Sequence, residues 1–511
     1  MVIQVDKSAE EPIRDQICRQ ITKLVRDGLL SSGEKLPSVR ELATQLDVSR
    51  KTVHNAYEEL VARNILETRH GSGTYVTEMP SIAVGDNLRT RAEMETSIEN
   101  QPPMRWEPYR FHSEFFLVPP SRRQRGELVK FTQASPDPAL FPFQRIKQVA
   151  TNMLWYPKEF FFDVGHPQGY LPLIDHLEKE MALSGVPMAE TENDILLTGG
   201  FQRALALVLD RILQPGQKVA VESPTYTGIL NLLIAKNIHY VPIPVDDEGM
   251  DTDYLGTVLA RDEVKAVITV PTYHNPTGAC LSAERREHLL RLAIRYRVPV
   301  IEDDWARWLG YNGQTPPPLK SLDAGGYVIH IGTFSKCLLP GLRIGWVTAP
   351  SSIAEPLVYA KLGAESGEGY FLQALLYEFI IRGHFAKHLR KTVKEYRKRR
   401  DAMCRALDAY LPPGCTYLHP QGGFTVWVQL PEHLLSVPLL SLCREAGVEF
   451  LPAAYCMPSR QDTAALRLAF SRTSKEEIDS GIETLCAVIG DCIDRPGLLD
   501  SGARSWEDLR Q

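Results

Sequence analysis

From Ile195 onward, short apolar runs alternate with longer stretches of helical period, and this alternation narrows the possible folds more than any other feature of the chain. The runs cover residues 219–221, 266–270, 298–301, 327–331 and 344–347. Such spacing describes an α/β fold with a mostly parallel sheet. Sheets of this kind collect ligands at the loops beyond the carboxyl ends of their strands, so the residues that follow the runs are the ones to inspect. A length of 511 residues exceeds what one core supports, and two or three domains are expected.

The loop between the last two runs reads Thr333-Phe334-Ser335-Lys336-Cys337-Leu338-Leu339-Pro340-Gly341-Leu342-Arg343. A lysine held between core strands is partly desolvated, which lowers its pKa. Its neutral amine can attack an aldehyde to form a Schiff base. Arg343 stands a short loop away and can hold a phosphate dianion, with the Thr333 and Ser335 hydroxyls as further donors. An aldehyde and a phosphate on one small molecule describe pyridoxal 5'-phosphate (PLP). The plainer alternative is a surface lysine beside an ordinary turn. Upstream, Thr198-Gly199-Gly200-Phe201-Gln202 ends one strand and opens an apolar helix. Free N–H groups at such a helix start attract anions, so Gly200, Phe201 and Gln202 form the expected phosphate cradle.

Two further residue types are costly to bury without a purpose. Val300-Ile301-Glu302-Asp303-Asp304 ends a strand in acid. A carboxylate there can pair with a pyridine nitrogen and keep the ring an electron sink. Register favours Asp303, with Asp304 as runner-up; a helix N-cap is the structural alternative. Leu466-Arg467-Leu468-Ala469-Phe470 places one arginine in an apolar strand, where it needs an anion. That anion is either a ligand carboxylate or a structural partner.

The first 78 residues have a different character. Ile13, Ile17, Ile21 and Leu24 follow a helical period after Pro12. Ser38 with Glu41 forms a capping box at the next helix. After a turn at Asp47-Val48, Ser49 caps a third helix running to about Asn64. Two short helices joined this way read as a helix-turn-helix, with donors clustered where base edges and phosphates are met. Strands around Arg69-His70-Gly71-Ser72-Gly73 complete a wing. The net charge of −6 argues against a basic coat over the whole chain, yet it is compatible with a small DNA-binding module on a larger acidic domain. Nine scattered cysteines without a Cys-x-x-Cys pair indicate reduced thiols in the cytoplasm and no zinc site. With early acids such as Asp6, Glu10 and Glu11, no secretory leader is expected, and no run is long enough to span a bilayer, so no membrane partner is expected.

The lysine loop resembles that of fold-type I PLP aminotransferases, and Leu36-Pro37-Ser38-x-Arg40-Glu41-Leu42-Ala43 with Ser49-Arg50-x-Thr52-Val53 and His70-Gly71-x-Gly73-Thr74 resembles the GntR signature. Together they are similar to MocR-type regulators. The resemblance implies a winged helix-turn-helix over 1–78 and a linker over 79–125. An aminotransferase-like domain would follow over 126–511, with a smaller C-terminal α+β subdomain. It implies PLP as an internal aldimine on Lys336, Tyr226 stacked on the ring and Asn275 bonded to the ring hydroxyl. It further implies Arg467 on a ligand carboxylate, and DNA contacts from Arg40, Ser49, Arg50, Lys51, Thr52, His54, His70 and Gly71. The partners implied are a double-stranded DNA operator, an amine or amino-acid effector (or PLP itself), and a second copy of the chain with crossed-over DNA-binding domains. In such proteins the aminotransferase-like domain senses a ligand rather than making a product; a working aminotransferase with an accessory DNA-binding domain is the alternative. Two departures bear on that choice. Trp305 and Ala306 stand where the family carries a tyrosine, and Val164 stands where another tyrosine is lent across the dimer.

Overall fold

Ser38 and Glu41 cap one helix reciprocally: the Ser38 N–H donates to the Glu41 carboxylate at 2.8 Å, and the Glu41 N–H donates to the Ser38 hydroxyl at 3.2 Å. This fixes the start of α2 (Val39–Leu46), which follows α1 (Ile13–Arg26) and precedes α3 (Arg50–Ala62). The computed structural model describes residues 3–7, 11–69, 71–77, 128–155, 165–188, 193–313, 315–364 and 367–501. Asp47 adopts a left-handed conformation in the turn between α2 and α3. Gly28 does the same just past α1, where a side chain would be strained. Ile17, Ile21, Leu42, Val53, Ala56 and Leu60 meet in a core sealed from water. Burial of each large aliphatic there contributes about 1.5–3 kcal/mol. β1 (Leu66–Arg69) and β2 (Gly73–Val76) pair antiparallel as the wing. The expected linker over 79–125, and with it the crossing-over of two chains, lies outside the described residues, as do His70 and Val164.

The chain divides into two compact units, Met1–Arg110 and Phe111–Gln511. In the second, a short strand β3 (Val129–Lys130) precedes the main sheet. That sheet contains β4 (Asn193–Thr198), β5 (Lys218–Ser223), β6 (His239–Asp246), β7 (Gly249–Met250), β8 (Val264–Thr269), β9 (Val300–Asp304), β10 (Val328–Thr333) and β11 (Gly345–Pro350). Its spatial order is β4-β11-β10-β9-β8-β5-β6-β7. The strands from β10 through β6 run parallel, while β11 is antiparallel to both neighbours and β7 to β6. Residues in this interior, such as Val219, Val267, Ile301 and Ile331, are buried on one face or the other, which is why the runs are apolar without alternation.

A smaller sheet follows from β12 (Thr416–Tyr417), β13 (Thr425–Gln429), β15 (Leu451–Pro452) and β16 (Ala465–Ala469), in the order β12-β13-β16-β15. A further strand, β14 (Val448–Glu449), pairs parallel with β3, so the segment after β3 is stitched to this subdomain. Helices His384–Tyr410, Ser436–Glu445 and Lys475–Asp494 complete it. The expected mixed sheet with a smaller α+β subdomain is what the chain forms. Strand ends differ slightly from expectation: β10 runs on through Thr333, because its ladder with β11 continues to the Thr333–Gly345 pair. Among the described residues, no helix is long and apolar enough to cross a membrane.

Gly332 pairs with Trp346 across the β10–β11 ladder, and a Cβ at Gly332 would run into the buried Trp346 ring. Gly332→Ala is therefore expected to lower stability by about 1–3 kcal/mol. Gly341→Ala, where a Cβ meets nothing within 4 Å, should stay within about 0.5 kcal/mol of the parent. Urea unfolding midpoints of the two variants check this.

Candidate functional site

The loop between β10 and β11 holds Lys336 at the carboxyl edge of the sheet, where β10 has just ended and β11 has turned back. The Lys336 Nζ donates to the Ala134 carbonyl at 2.9 Å. Burial, then the nearby positive charges of Arg467, Arg343 and Arg472, favours the neutral amine, against the pull of Asp303. The net effect lowers the Lys336 pKa to about 8. The Ser335 hydroxyl is buried and has no partner among the described residues. The Thr333 hydroxyl is engaged within the loop, accepting the Ser335 N–H at 3.1 Å and donating toward the Ile344 carbonyl at 3.4 Å.

Opposite the lysine loop, Gly200 caps the helix Phe201–Ile212 with a positive φ of 87°. A Cβ on Gly200 would stand 3.3 Å from the Arg343 guanidinium carbon, so the helix start and Arg343 are close. Arg343 itself sits in a left-handed conformation, which turns the chain back into β11. The Gly200 N–H is taken by the Thr198 carbonyl at 2.7 Å, so the N–H groups of Phe201 and Gln202 at the helix start and the nearby Arg343 guanidinium are the donors suited to a phosphate. Gln202 hydrogen-bonds the Tyr226 hydroxyl, and burial followed by the Asp303 charge pushes that phenol's pKa up.

Asp303 and Asp304 are neighbours with opposite outlooks, because side chains alternate along β9. Asp303 faces the cleft, interacts with Lys336 and Tyr226, and leaves its Oδ1 buried without a partner. Burial, then Asp304, pushes its pKa well above the ordinary carboxylate value. Asp304 turns away and pairs with His330 at 3.0 Å and Arg307 at 3.5 Å.

Arg467 lies on β16 of the small sheet. It donates to the Asn275 side-chain oxygen at 3.3 Å and to the Thr132 carbonyl, while its Nε stays buried without a partner. This leaves the Asn275 amide nitrogen free to donate elsewhere. The structure thus brings Lys336, Gly200, Gln202, Tyr226, Asn275, Asp303, Ser335, Arg343 and Arg467 to one cleft.

Several site groups carry no marker that the sequence reading used. The Thr132 and Ala134 carbonyls are backbone groups with no side-chain marker. Glu222 accepts from the Thr269 hydroxyl at 2.7 Å and the Val270 N–H at 2.9 Å, and lies 3.3 Å from His274 Nε2. His274 meets the Thr277 hydroxyl at 2.8 Å, so this chain of bonds locks the Asn275 turn to the end of β5. The histidine beside Asn275 in the sequence was the available signal. Trp305, at the departure from the family pattern, is buried and donates to the Tyr273 carbonyl at 3.2 Å.

In the N-terminal unit, Arg40, Arg50, Lys51 and His54 are exposed at the starts of α2 and α3, and Gly71 is exposed on the wing. Arg40, Arg50 and Lys51 have no side-chain partner among the described residues. His54 lies 3.3 Å from Glu58. Ser49 and Thr52 are partly committed to capping: the Thr52 N–H donates to the Ser49 hydroxyl at 3.1 Å, and the two hydroxyls share a bond at 2.8 Å. Two cations given no DNA role in the sequence reading, Lys35 and Arg69, lie over the Tyr75 ring, at 5.9 and 4.7 Å from its centroid.

Comparison with known proteins accords with both units. Residues 164–485 match the family described as aminotransferase class I and II, and residues 13–76 match bacterial regulatory proteins of the gntR family. The chain is 33% identical to aromatic-amino-acid aminotransferase 1 of Thermococcus litoralis, over 72% of this chain and 89% of that protein. It is 30% identical to the HTH-type transcriptional regulator TauR of Rhodobacter capsulatus, over 92% of this chain and 96% of the relative. The crystal structure of Pyrococcus horikoshii kynurenine aminotransferase in complex with PMP superposes with a TM-score of 0.69 at 33% identity, covering 72% of this chain and 91% of that one. The chain belongs to the aminotransferase class I and II family, with a gntR-type DNA-binding domain ahead of the aminotransferase fold in the MocR-type arrangement.

Proposed function

We propose that this protein is a cytoplasmic, dimeric transcription regulator that binds duplex DNA through its helix-turn-helix and senses an amine or amino acid through PLP held on Lys336. The residues present fit that cofactor. The buried Ser335 hydroxyl and Asp303 Oδ1 lack partners, and the Arg343 guanidinium packs so close to the helix start that a Cβ on Gly200 would stand 3.3 Å from it. When bound, PLP supplies an electrophilic aldehyde and an electron-withdrawing ring. Lys336 provides the amine, neutral above about pH 8. Arg343, Ser335 and the N–H groups of Phe201 and Gln202 would hold the phosphate at the turn made by Gly200, whose own N–H is given to the Thr198 carbonyl at 2.7 Å, with Thr333 ordering the loop around Ser335. Tyr226 would cover the ring, Asn275 would donate to its phenolic oxygen and Asp303 would pair with its nitrogen. Arg467 would take the effector's carboxylate.

One observation carries the sensor reading. Both the amine of Lys336 and the guanidinium of Arg467 are bonded to carbonyls of one short segment, at Ala134 and Thr132. That segment follows the 79–125 stretch that leads from the DNA-binding unit, so occupancy of either group competes with a bond that holds the segment. A ligand acts on such a switch only through unequal affinity for its two arrangements. The domain boundaries 1–78, 79–125 and 126–511 belong to this proposal. The second reading, a working aminotransferase, is supported by the enzymes among the relatives. Sustained conversion of an amino acid to its oxo acid would favour it, while the indole of Trp305 in place of a phenol speaks against it.

Borohydride reduction with added PLP, followed by peptide mass mapping, is expected to place a pyridoxyl group on Lys336 and nothing on that peptide in Lys336→Ala. The trapped fraction at short times should rise as pH increases through about 8, because the lowered pKa leaves the amine neutral above that value. A wild-type protein with no such label sinks the sensor reading.

On a duplex selected from a random pool, Arg50→Ala is expected to weaken binding by about 1–3 kcal/mol and relax specificity at one position. Lys51→Ala should flatten the slope of log affinity against log salt by about 1. Fluorescence anisotropy across a salt series separates the two effects.

A further inference from the structure

β9 ends in three consecutive acids, and each has a separate environment. Glu302 accepts N–H groups from Leu319 at 2.6 Å and Lys320 at 3.0 Å. Asp304 shares that face and pairs with His330 Nε2 and Arg307. Asp303, on the other face, keeps an unpartnered oxygen in the cleft. His330 sits on β10, which runs parallel to β9 with Gly332 opposite Asp304. His330 is 0% exposed, and the Trp346 ring lies 6.1 Å from its own over the space that Gly332 leaves free. The imidazole therefore has one fixed position, with Nε2 aimed at Asp304 and Nδ1 unpartnered.

We propose that His330 is a positioning residue for the cofactor site: it pins Asp304 as an ion on the far face of β9, so that Asp303 alone faces the cleft, under the influence of a fixed neighbouring negative charge. The proposal rests on the PLP reading of the site. Its physical basis is a balance of charges. Burial alone would push Asp304 up, but the bond to His330 and the charges of His330, Arg307 and Arg286 outweigh it and hold Asp304 below its ordinary value. Glu302 on the same strand and the Tyr273 phenol complete its charged surroundings. Asp303 is surrounded by Asp304 and Glu302 on its own strand, Glu222 at the end of β5, Lys336 from the lysine loop and Tyr226. Asp304 is the largest of its charged influences, and it favours the protonated form of Asp303. If Asp304 loses its donor and takes up a proton, that influence disappears and Asp303 ionises at lower pH.

Infrared spectroscopy of the full-length protein tests this. A protonated-carboxyl C=O stretch is expected in the cofactor-free wild type, absent in Asp303→Asn, and lost when PLP is added. Its pH midpoint should fall by about one unit in His330→Phe, which removes the donor, and by a similar amount in Asp304→Asn. His330→Gln, whose amide can still donate, should restore the midpoint toward wild type. A merely structural histidine would change the melting temperature without moving the midpoint in the same direction in both variants. Unchanged midpoints in His330→Phe and Asp304→Asn, or shifts of opposite sign, overturn the proposal. A band that responds to the substitutions as described but ignores PLP instead overturns the cofactor reading on which it rests.

Discussion

A protonated Lys336 is opposed by desolvation and by the positive charges of Arg467, Arg343 and Arg472, and is supported by Asp303. The rest of the cleft is arranged around that contest. Holding several ionisable groups away from water costs several kcal/mol for each charge that lacks compensation. The fold tolerates this because each group sits on an element whose other face belongs to a large core. β10 and β9 bury Ile331, Ile301 and Val300, while β16 buries Leu466 and Leu468 around Arg467. The same burial that makes the charges expensive makes the amine of Lys336 easy to deprotonate. Stability and chemistry draw on one property of the site, its dryness.

Dryness also explains why the surrounding bonds are so complete. Glu222, Glu302 and Asp304 are all buried, and each has its own donors: a hydroxyl and an N–H for Glu222, two N–H groups for Glu302, a histidine and an arginine for Asp304. Other buried side-chain atoms lack partners, both in the cleft and away from it, where His330 Nδ1, Trp346 Nε1 and the Thr348 hydroxyl are examples. The Asp303 Oδ1, the Ser335 hydroxyl and the Arg467 Nε are buried and unpartnered. Buried polar atoms without partners are rare in folded proteins and need an explanation. Under the proposed PLP reading, Asp303 Oδ1, the Ser335 hydroxyl and Arg467 Nε would meet a ring nitrogen, a phosphate and a carboxylate in turn.

Much of this was legible in the sequence, for a physical reason. Apolar runs that end in Gly-Gly, in acid or in a lysine loop report strand ends directly, since polar chemistry must stand where burial stops. The capping box at Ser38 and the arginine at 467 inside an apolar strand were likewise legible, because each is a local rule that the local sequence must obey. Other features were not. The carbonyls of Thr132 and Ala134 have no side-chain signature, so nothing in the residue types announces that they would meet Arg467 and Lys336. Register favoured Asp303 over Asp304, but the partners that hold Asp304 on the other face, His330 and Arg307, had no marker in the sequence. Thr333 was counted as a free donor, but its place at the end of β10 commits the hydroxyl to its own loop. Ser49 and Thr52 divide their hydroxyls between capping and whatever α3 meets, a conflict that appears only when the helix start is seen in three dimensions.

The proposed regulatory role gains its logic from where the two cationic groups are anchored. Lys336 belongs to the main sheet and Arg467 to the small one, and the segment at 132–134 touches both. That segment is also tied to the small subdomain by the Phe131 N–H to the Glu449 carbonyl at 2.7 Å and by the Ser471 hydroxyl to the Gln133 carbonyl at 3.1 Å. It therefore responds to events at either sheet without belonging wholly to either. PLP held on Lys336 would compete with the Ala134 carbonyl, whereas a ligand carboxylate at Arg467 would compete with the Thr132 carbonyl. A ligand amine that drew the aldehyde off Lys336 would return that amine to Ala134, so an amino acid and a simple amine would leave the segment held differently.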